Sequence, residues 1–401
     1  MNKLIKIQLI ILLIIIFFSI MLNCIKPSIQ INLLTVFSKF HKKYFVGEKY
    51  KIRMKKFPYY KNEKIYVISL NNRVDLFNGN LIMNSAGREC LIAYVKNFNS
   101  SICFDIYNTP NISFQDKNPL KIELYQISSY TYKQLKLELY DYPKENIKYV
   151  SNDDGIITVN EQGIISAMRP GRATVIASGL DNRSCRINII VLSNNGLINN
   201  STLEMHNVNH YKNLMIVAHP DDEILWGGAN LYNEKYFVVC LTNGYTIDRA
   251  NDFREILKFT NNSGIILNYP DLIDNINRDD WTDFKIGIIK DLSIILTYNK
   301  WIKIVTHGPD GTTGHIHHKK LYEYVTMLTK KYNIYNNLYY FGKFYNKNEM
   351  PTNLSRINDR DFDIKKKEVE IYKSVKYLIY KLWYHFLPYE NWILASKLKI
   401  N

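Results

Sequence analysis

The stretch Ala218-His219-Pro220-Asp221-Asp222-Glu223 constrains this chain more than any other. It follows a compact apolar run, Leu214 to Val217, that reads as a buried strand. It precedes Ile224 to Tyr232, which reads as the start of a helix. Strand, polar turn, helix is the order that puts turn side chains in the crevice at the carboxyl end of a parallel sheet. His219 and Asp222 can both turn toward one metal, which leaves Asp221 as a nearby free carboxylate. A zinc hydrolase needs such parts: nitrogen and oxygen ligands, an open position for water, and a base that is not a ligand. One such turn alone is more often a capping Asp than a metal site.

A second cluster changes the weighing. Thr306-His307-Gly308-Pro309-Asp310-Gly311-Thr312-Thr313-Gly314-His315-Ile316-His317-His318 again follows a strand-like run, Trp301 to Val305. His315 and His318 are three apart and share a face if a helix begins here. One can bind metal while the other points at substrate. Two such clusters, each at the end of an apolar strand, are hard to obtain by chance.

The 401 residues are long enough for two or three domains. Residues 1–26 read as an N-terminal transmembrane signal anchor. Ile7 to Ile25 is nearly unbroken apolar sequence, close to the roughly 20 residues that span a bilayer. The competing reading is a signal peptide cleaved to release a secreted chain, but no clear cleavage site follows. The anchor predicts a cell-membrane location with the catalytic domain outside. The net charge of +15 comes from scattered Lys, with no arginine-rich stripe. No nucleic-acid partner is therefore expected. The five cysteines, at 24, 90, 103, 185 and 240, form no C-x-x-C motif. Cys90 and Cys103 are candidates for a disulfide or for two buried thiols.

From residue 27 to about 195, short runs alternate apolar and polar residues between Gly, Asn and Asp, the pattern of a β-sandwich. An internal repeat lies within it. Val74 to Phe77, Gly79 to Ile82, and Gly87-Arg88 to Ala93 share a plan with Ser151 to Val159, Gly163 to Ser166, and Gly171-Arg172 to Ala177. Each copy is strand, Gly turn, strand, Gly-Arg, strand. The division expected is 27–115 and 116–195 for two β domains, 196–211 for a polar linker holding His206 and His210, and 212–401 for a catalytic domain. In that last part strands alternate with helices, which predicts a Rossmann-like, mostly parallel α/β sheet with helices on both faces. A helical spacing runs from Asp361 to Phe386.

The motifs Ala218 to Glu223, Leu241-Thr242-Asn243-Gly244 and Thr306 to His318 resemble the PIG-L/LmbE deacetylases. These are metal-dependent enzymes that remove acetyl from N-acetylglucosaminyl groups. The resemblance covers about residues 212 to 395. Residues of about 120 to 193 resemble the bacterial immunoglobulin-like domain of group two, and about 38 to 109 do so more distantly. Such domains serve as spacers or adhesion modules on bacterial surface proteins.

The first resemblance implies one Zn2+, or another divalent metal, held by His219, Asp222 and His318. It implies Asp221 as general base, and His315 as the histidine that contacts the reacting amide. Arg249 and Asp271 are candidate substrate contacts. His307 is expected beside the ligands, and Glu223 as a helix cap. Two positions depart from the family pattern. His317 stands where an Asp is usual, and Arg249 to Asp252 gives R-x-x-D in place of R-x-x-E. The expected substrate is an N-acetylated glycan or glycoconjugate at the cell surface, with a membrane partner through the N-terminal span. The alternatives are a non-catalytic glycan-binding surface protein, or the same chemistry on a glycolipid or other N-acyl amide.

Overall fold

The computed structural model describes residues 30–35, 44–55, 62–95, 98–107, 113–124, 134–139, 147–179, 184–273 and 276–398. The chain forms two compact units. The first comprises 1–115, 139–148 and 177–185; the second comprises 116–138, 149–176 and 186–401.

The first unit holds β1 (Gln30–Thr35), β2 (Tyr44–Phe45), β3 (Lys49–Lys55), β4 (Tyr66–Ser69), β5 (Val74–Phe77), β6 (Asn80–Met83), β7 (Gly87–Val95) and β8 (Phe98–Tyr107). They form two four-stranded sheets, β1-β3-β6-β5 and β2-β8-β7-β4. Asn78 and Gly79 both take positive φ between β5 and β6, the two-residue turn that suits strand twist. Alternate residues of β7 point inward, so Leu91, Ala93 and Val95 join Tyr50 and Leu81 in the core. Cys90 and Cys103 face each other across β7 and β8 and are joined as a disulfide.

In the second unit, β9 (Leu120–Glu123), β10 (Gln134–Lys136), β11 (Lys148–Ser151), β12 (Ile157–Val159), β13 (Ile164–Ala167), β14 (Gly171–Ser178) and β15 (Ser184–Leu192) build two further sheets. Their orders are β11-β14-β15-β9 and β10-β13-β12. Strands β11, β14 and β15 have residues in both units. Burial alternates along β14, so Ala173 and Val175 face the core while Arg172 and Thr174 face out.

Beyond residue 196 the chain is not a bare linker. Asn199 caps α1 (Asn200–Met205), and Ile198, Leu203 and Val208 are buried. There follow β16 (Asn213–Val217), α2 (Asp222–Asn233), β17 (Tyr236–Thr242), α3 (Ile247–Phe259), β18 (Ser263–Tyr269), α4 (Lys285–Tyr298), β19 (Lys303–Thr306), α5 (Ile316–Lys331), β20 (Leu338–Tyr340), α6 (Asp359–Ile371), α7 (Lys376–Leu382) and β21 (Ile393–Leu394). The sheet order is β18-β17-β16-β19-β20-β21. All neighbours pair in parallel except β20 and β21, which are antiparallel. Its winding reverses between β16 and β19. That opens a crevice at their carboxyl ends, where the two motifs emerge.

Leu214 and Ile216 enter one core with Ile288, Leu292, Leu321 and Val325. Met215 and Val217 enter another with Ile224, Leu225, Val369 and Tyr372. Inside α2, Gly227 and Gly228 leave room for side chains from elsewhere. Lys365 Nζ donates to Leu225 O at 3.0 Å, and Trp392 Nε1 donates to Trp226 O at 2.8 Å. The amides of Ala229 and Asn230 donate to the Glu390 carboxylate at 2.8 and 3.1 Å. These partners satisfy backbone groups that the glycine pair leaves open.

Three expectations are corrected. The chain is β-rich rather than of the Rossmann-like α/β class: fifteen of the twenty-one described strands precede Ser193, and the helix-bearing sheet is mixed. The cause is local, because most of these short runs pair antiparallel across tight turns and carry no crossover helix, while β2 with β8 and β9 with β15 pair in parallel. The helical spacing from Asp361 to Phe386 is broken at Tyr372, and α7 restarts only at Lys376. Ser374 N donates to Asp252 Oδ2 at 2.8 Å instead of continuing the ladder. Finally, no helix among the described residues is long and apolar enough to cross a membrane, and Ile7 to Ile25 lies outside them. The expected single-pass anchor and cell-membrane location are corrected accordingly.

Candidate metal centre

β16 ends at Val217, and the turn His219-Pro220-Asp221 leads directly into α2. Asp222 is the first residue of α2, where a carboxylate meets the positive end of the helix. Its Oδ1 accepts from Trp226 Nε1 at 3.0 Å, one helical turn on, which fixes the rotamer. Its Oδ2 accepts the His219 amide at 2.9 Å. On the other side α5 begins at Ile316, so His317 and His318 lie in its first turn.

These two starts bring three atoms together. Asp222 Oδ2 lies 3.4 Å from His219 Nδ1 and 3.2 Å from His318 Nε2, and the two nitrogens are 3.2 Å apart. His318 Nδ1 is 3.0 Å from Gly311 O, a group that can only accept, so Nδ1 carries the hydrogen and Nε2 a lone pair. All three residues are buried. Two imidazole nitrogens and a carboxylate oxygen at these separations are a zinc-type donor set. The residues fit the expected ion on the chemistry of the donors. Burial alone would lower the His219 pKa, but Asp222 and Asp271 outweigh it and hold it up at about 9, so the pocket draws positive charge. The Asp222 carboxyl lies well below its ordinary range; burial opposes this, and His318, His307 and His219 overcome it.

Asp221 stands next to the trio and outside it. Its backbone takes φ +118, a conformation L residues rarely adopt. Glu223 holds it there: Oε2 accepts the Asp221 amide at 3.0 Å, and Oε1 accepts from Tyr372 O–H at 2.6 Å. Glu223 is thus a buried brace for the turn, and burial pushes its carboxyl up to about 8. Burial also pushes Asp221 up, to about 7, with Arg249 opposing and Asp222 adding. Arg249 Nη2 lies 3.2 Å from Asp221 Oδ2 and also donates to Pro220 O. The residue expected at the substrate therefore clamps the carboxylate and lines the same pocket.

His315 caps α5, its Nδ1 accepting the His317 amide at 3.1 Å. Its Nε2 must then carry the hydrogen, and it has no partner among the described residues. Burial and the neighbouring histidines lower its pKa to about 2, so it is a neutral donor rather than a charged acid. Its ring lies 4.5 Å from that of His219. His307 packs its ring 3.7 Å from His318 and lies 3.4 Å from Asp222 Oδ2, accepting the Ala218 amide at 3.3 Å. Burial and His318 lower it to about 3.

Asp271 sits 3.6 Å from His219 Nε2 and accepts from Arg278 at 2.8 Å and from Asn243 at 3.2 Å. Its carboxyl is held below its ordinary range; burial opposes this and His219 prevails. The pocket wall is completed by Leu225, Trp226, Val375, Leu378 and Trp383. Sequence reasoning missed Arg278, Trp226 and Trp383. Only Trp226 left a signal, its four-residue spacing from Asp222.

No protein-family model matches the chain. A curated relative, uncharacterized protein L374 of Acanthamoeba polyphaga mimivirus, is 28% identical over 122 residues, 27% of this chain and 53% of that protein. The chain thus spans about half the length of the curated relative it matches. Among solved structures, the C-terminal 282-residue fragment of intimin in complex with the translocated intimin receptor intimin-binding domain is similar at 15% identity. It covers 41% of this chain and 64% of that one, with a TM-score of 0.21. Invasin, a bacterial integrin-binding protein, is similar at 10% identity, covering 41% of this chain and 38% of that one, with a TM-score of 0.19. Chimeric titin Z1Z2 is similar at 12%, over 41% and 95%, with a TM-score of 0.23. The expected membership of the PIG-L/LmbE deacetylases and of the group-two immunoglobulin-like domains is corrected: no family model supports either.

Proposed function

We propose that the second unit is a metal-dependent hydrolase of N-acyl amides, and that it removes acetyl from N-acetylglucosamine units of a glycan or glycoconjugate. One observation carries the reading: His219 Nδ1, Asp222 Oδ2 and His318 Nε2 converge within 3.4 Å, with the carboxylate of Asp221 beside them and outside the set. A zinc ion held by these three would supply the Lewis acidity that makes water a nucleophile near neutral pH.

The chain's own groups divide the remaining work. Asp221 accepts the proton of the attacking water, and Arg249 keeps that carboxylate aimed. His315 lines the pocket, its Nε2–H has no partner among the described residues, and it donates to the acyl oxygen as negative charge builds there. Asp221, once protonated, returns its proton to the departing amine. Leu225, Val375 and Leu378 offer a small apolar wall suited to an acetyl methyl, and the Trp383 ring offers a face to a sugar.

The test is acetate release from chitooligosaccharides and other N-acetylated sugars by the zinc-loaded full chain, with bound zinc measured in parallel. The expected result is one equivalent of zinc, lost in His318→Ala, together with acetate and a free amine. Stoichiometric zinc without acetate from any N-acetylated substrate would sink the hydrolase reading.

A further inference from the structure

The Gly-Arg step of the internal repeat occurs twice, and its two arginines meet different fates. Arg88 in β7 is exposed and 3.9 Å from an exposed Asp105. Arg172 in β14 reaches out of its own sheet. Its Nε donates to Asp279 Oδ2 at 2.8 Å, and its Nη2 donates to Asp283 Oδ2 at 2.7 Å. The Asp279 side chain is fully buried, so Arg172 answers a charge that water does not reach.

Asp279 closes the loop that follows β18. Its Oδ1 accepts the Trp281 amide at 2.8 Å, and its own amide donates to Asp271 O at 3.0 Å. The Trp281 ring lies flat on the His317 ring, 4.1 Å away and 2° from parallel. The Asp279 carbonyl oxygen is 2.5 Å from His317 Nε2, and His317 Nδ1 is 3.0 Å from His219 Nε2.

Counting hydrogens along this line leaves one arrangement for the neutral rings. A carbonyl only accepts, so His317 Nε2 carries its hydrogen and Nδ1 keeps a lone pair. His219 Nε2 must then donate to that lone pair. His219 Nδ1 is left with a lone pair directed at Asp222 and His318, as a metal ligand requires. A carboxylate at position 317 would set acceptor against acceptor at the Asp279 carbonyl; an imidazole does not.

We propose that Arg172 is a positioning residue of the metal pocket: acting through Asp279 and His317, it holds His219 in the tautomer that offers Nδ1. The proposal draws its purpose from the metal reading above and its geometry from the hydrogen bonds alone. The β-sandwich of the second unit thereby becomes part of the site's support, beyond any role as a spacer.

Zinc affinity of the full-length chain, measured by chelator competition, tests this. Loss of an outer partner typically costs a metal site about 10–100-fold in affinity, and Arg172→Ala and His317→Ala are each expected to fall in that range. The double variant is expected to be no weaker than either alone, because both act along one line. His317→Gln, whose amide can donate to Asp279 O and accept from His219, is expected to restore affinity. Asp283→Asn removes the other arm of the Arg172 clamp without touching Asp279 and is expected to change affinity less than about threefold.

An Arg172→Ala chain that melts earlier but binds zinc like wild type overturns the proposal. So does a loss in Asp283→Asn equal to that in Arg172→Ala, since Arg172 would then only hold sheets together. If Arg172→Ala does not fold, Arg172→Lys, which can span only one of the two carboxylates, replaces it under the same readings. If the wild-type chain binds no zinc, the hydrolase reading fails separately. Ring 15N shifts then decide: a fixed Nε2–H His317 in wild type and mixed tautomers in the Arg172 variant support the relay, and identical spectra overturn it.

Discussion

Asp221 combines a strained backbone with a buried carboxyl. A residue other than Gly at φ +118 costs about 1–3 kcal/mol and persists only where its surroundings over-determine it. Glu223 and Tyr372 do so from below, and Arg249 from the side chain. Asp221→Asn keeps the shape and removes the base. Acetate release is expected to fall about 10²–10⁴-fold with zinc content unchanged, as activity and metal analysis on one sample will check. A parallel loss of zinc would place Asp221 among the ligands instead. His219, Asp221 and Asp222 were legible because they are contiguous, between a strand and a helix that the hydrophobic pattern shows. Arg278, Asp279 and Arg172 were not: Arg172 and Asp279 meet across 107 positions, and even Arg278, seven positions from Asp271, looks like surface as an isolated Arg in sequence. The neutral state of His315 was equally hidden, since it follows from capping α5 and from burial among other histidines.

At the scale of elements, α4 shows how one buried group ties a connection down. Asp291 accepts the amides of Leu197 and Ile198 and the Tyr269 hydroxyl, whose distance is 2.6 Å. Burial outweighs those donors and raises its carboxyl to about 6. An acid whose folded pKa exceeds its unfolded value binds its proton more tightly when folded. Its contribution is therefore full below about pH 4 and is lost as pH rises to about 6, on the order of 3 kcal/mol. Asp291→Asn mimics the protonated form. Urea unfolding is expected to find it matched to wild type near pH 4 and more stable above pH 6; the reverse order would refute the assignment. Element positions were largely legible: the run Leu214 to Val217 lies in the strand Asn213–Val217, and Ile224 to Tyr232 lies in the helix Asp222–Asn233. The break after Tyr372 was not, because side-chain spacing stays helical across a gap whose backbone is satisfied by Asp252.

At the scale of the molecule, two units with separate cores predict two unfolding events. Calorimetry is expected to resolve them, and zinc at about 100 times its Kd to shift only one, by about 2.7 kcal/mol. A single transition moved as a whole by zinc would show that the units do not unfold independently. Fold class was the level at which sequence misled. Local periodicity finds strands, but pairing partners and the balance of sheet types are long-range properties that it does not contain. The glycine pair of α2 carries a consequence in time. Ala229 and Asn230 are completed by Glu390, 161 and 160 positions later. A ribosome adding about 5–20 residues per second takes roughly ten to thirty seconds to cover that distance. For that interval the helix that presents Asp222 is unfinished, and the nascent chain must wait, without its complete metal pocket, for a segment not yet made.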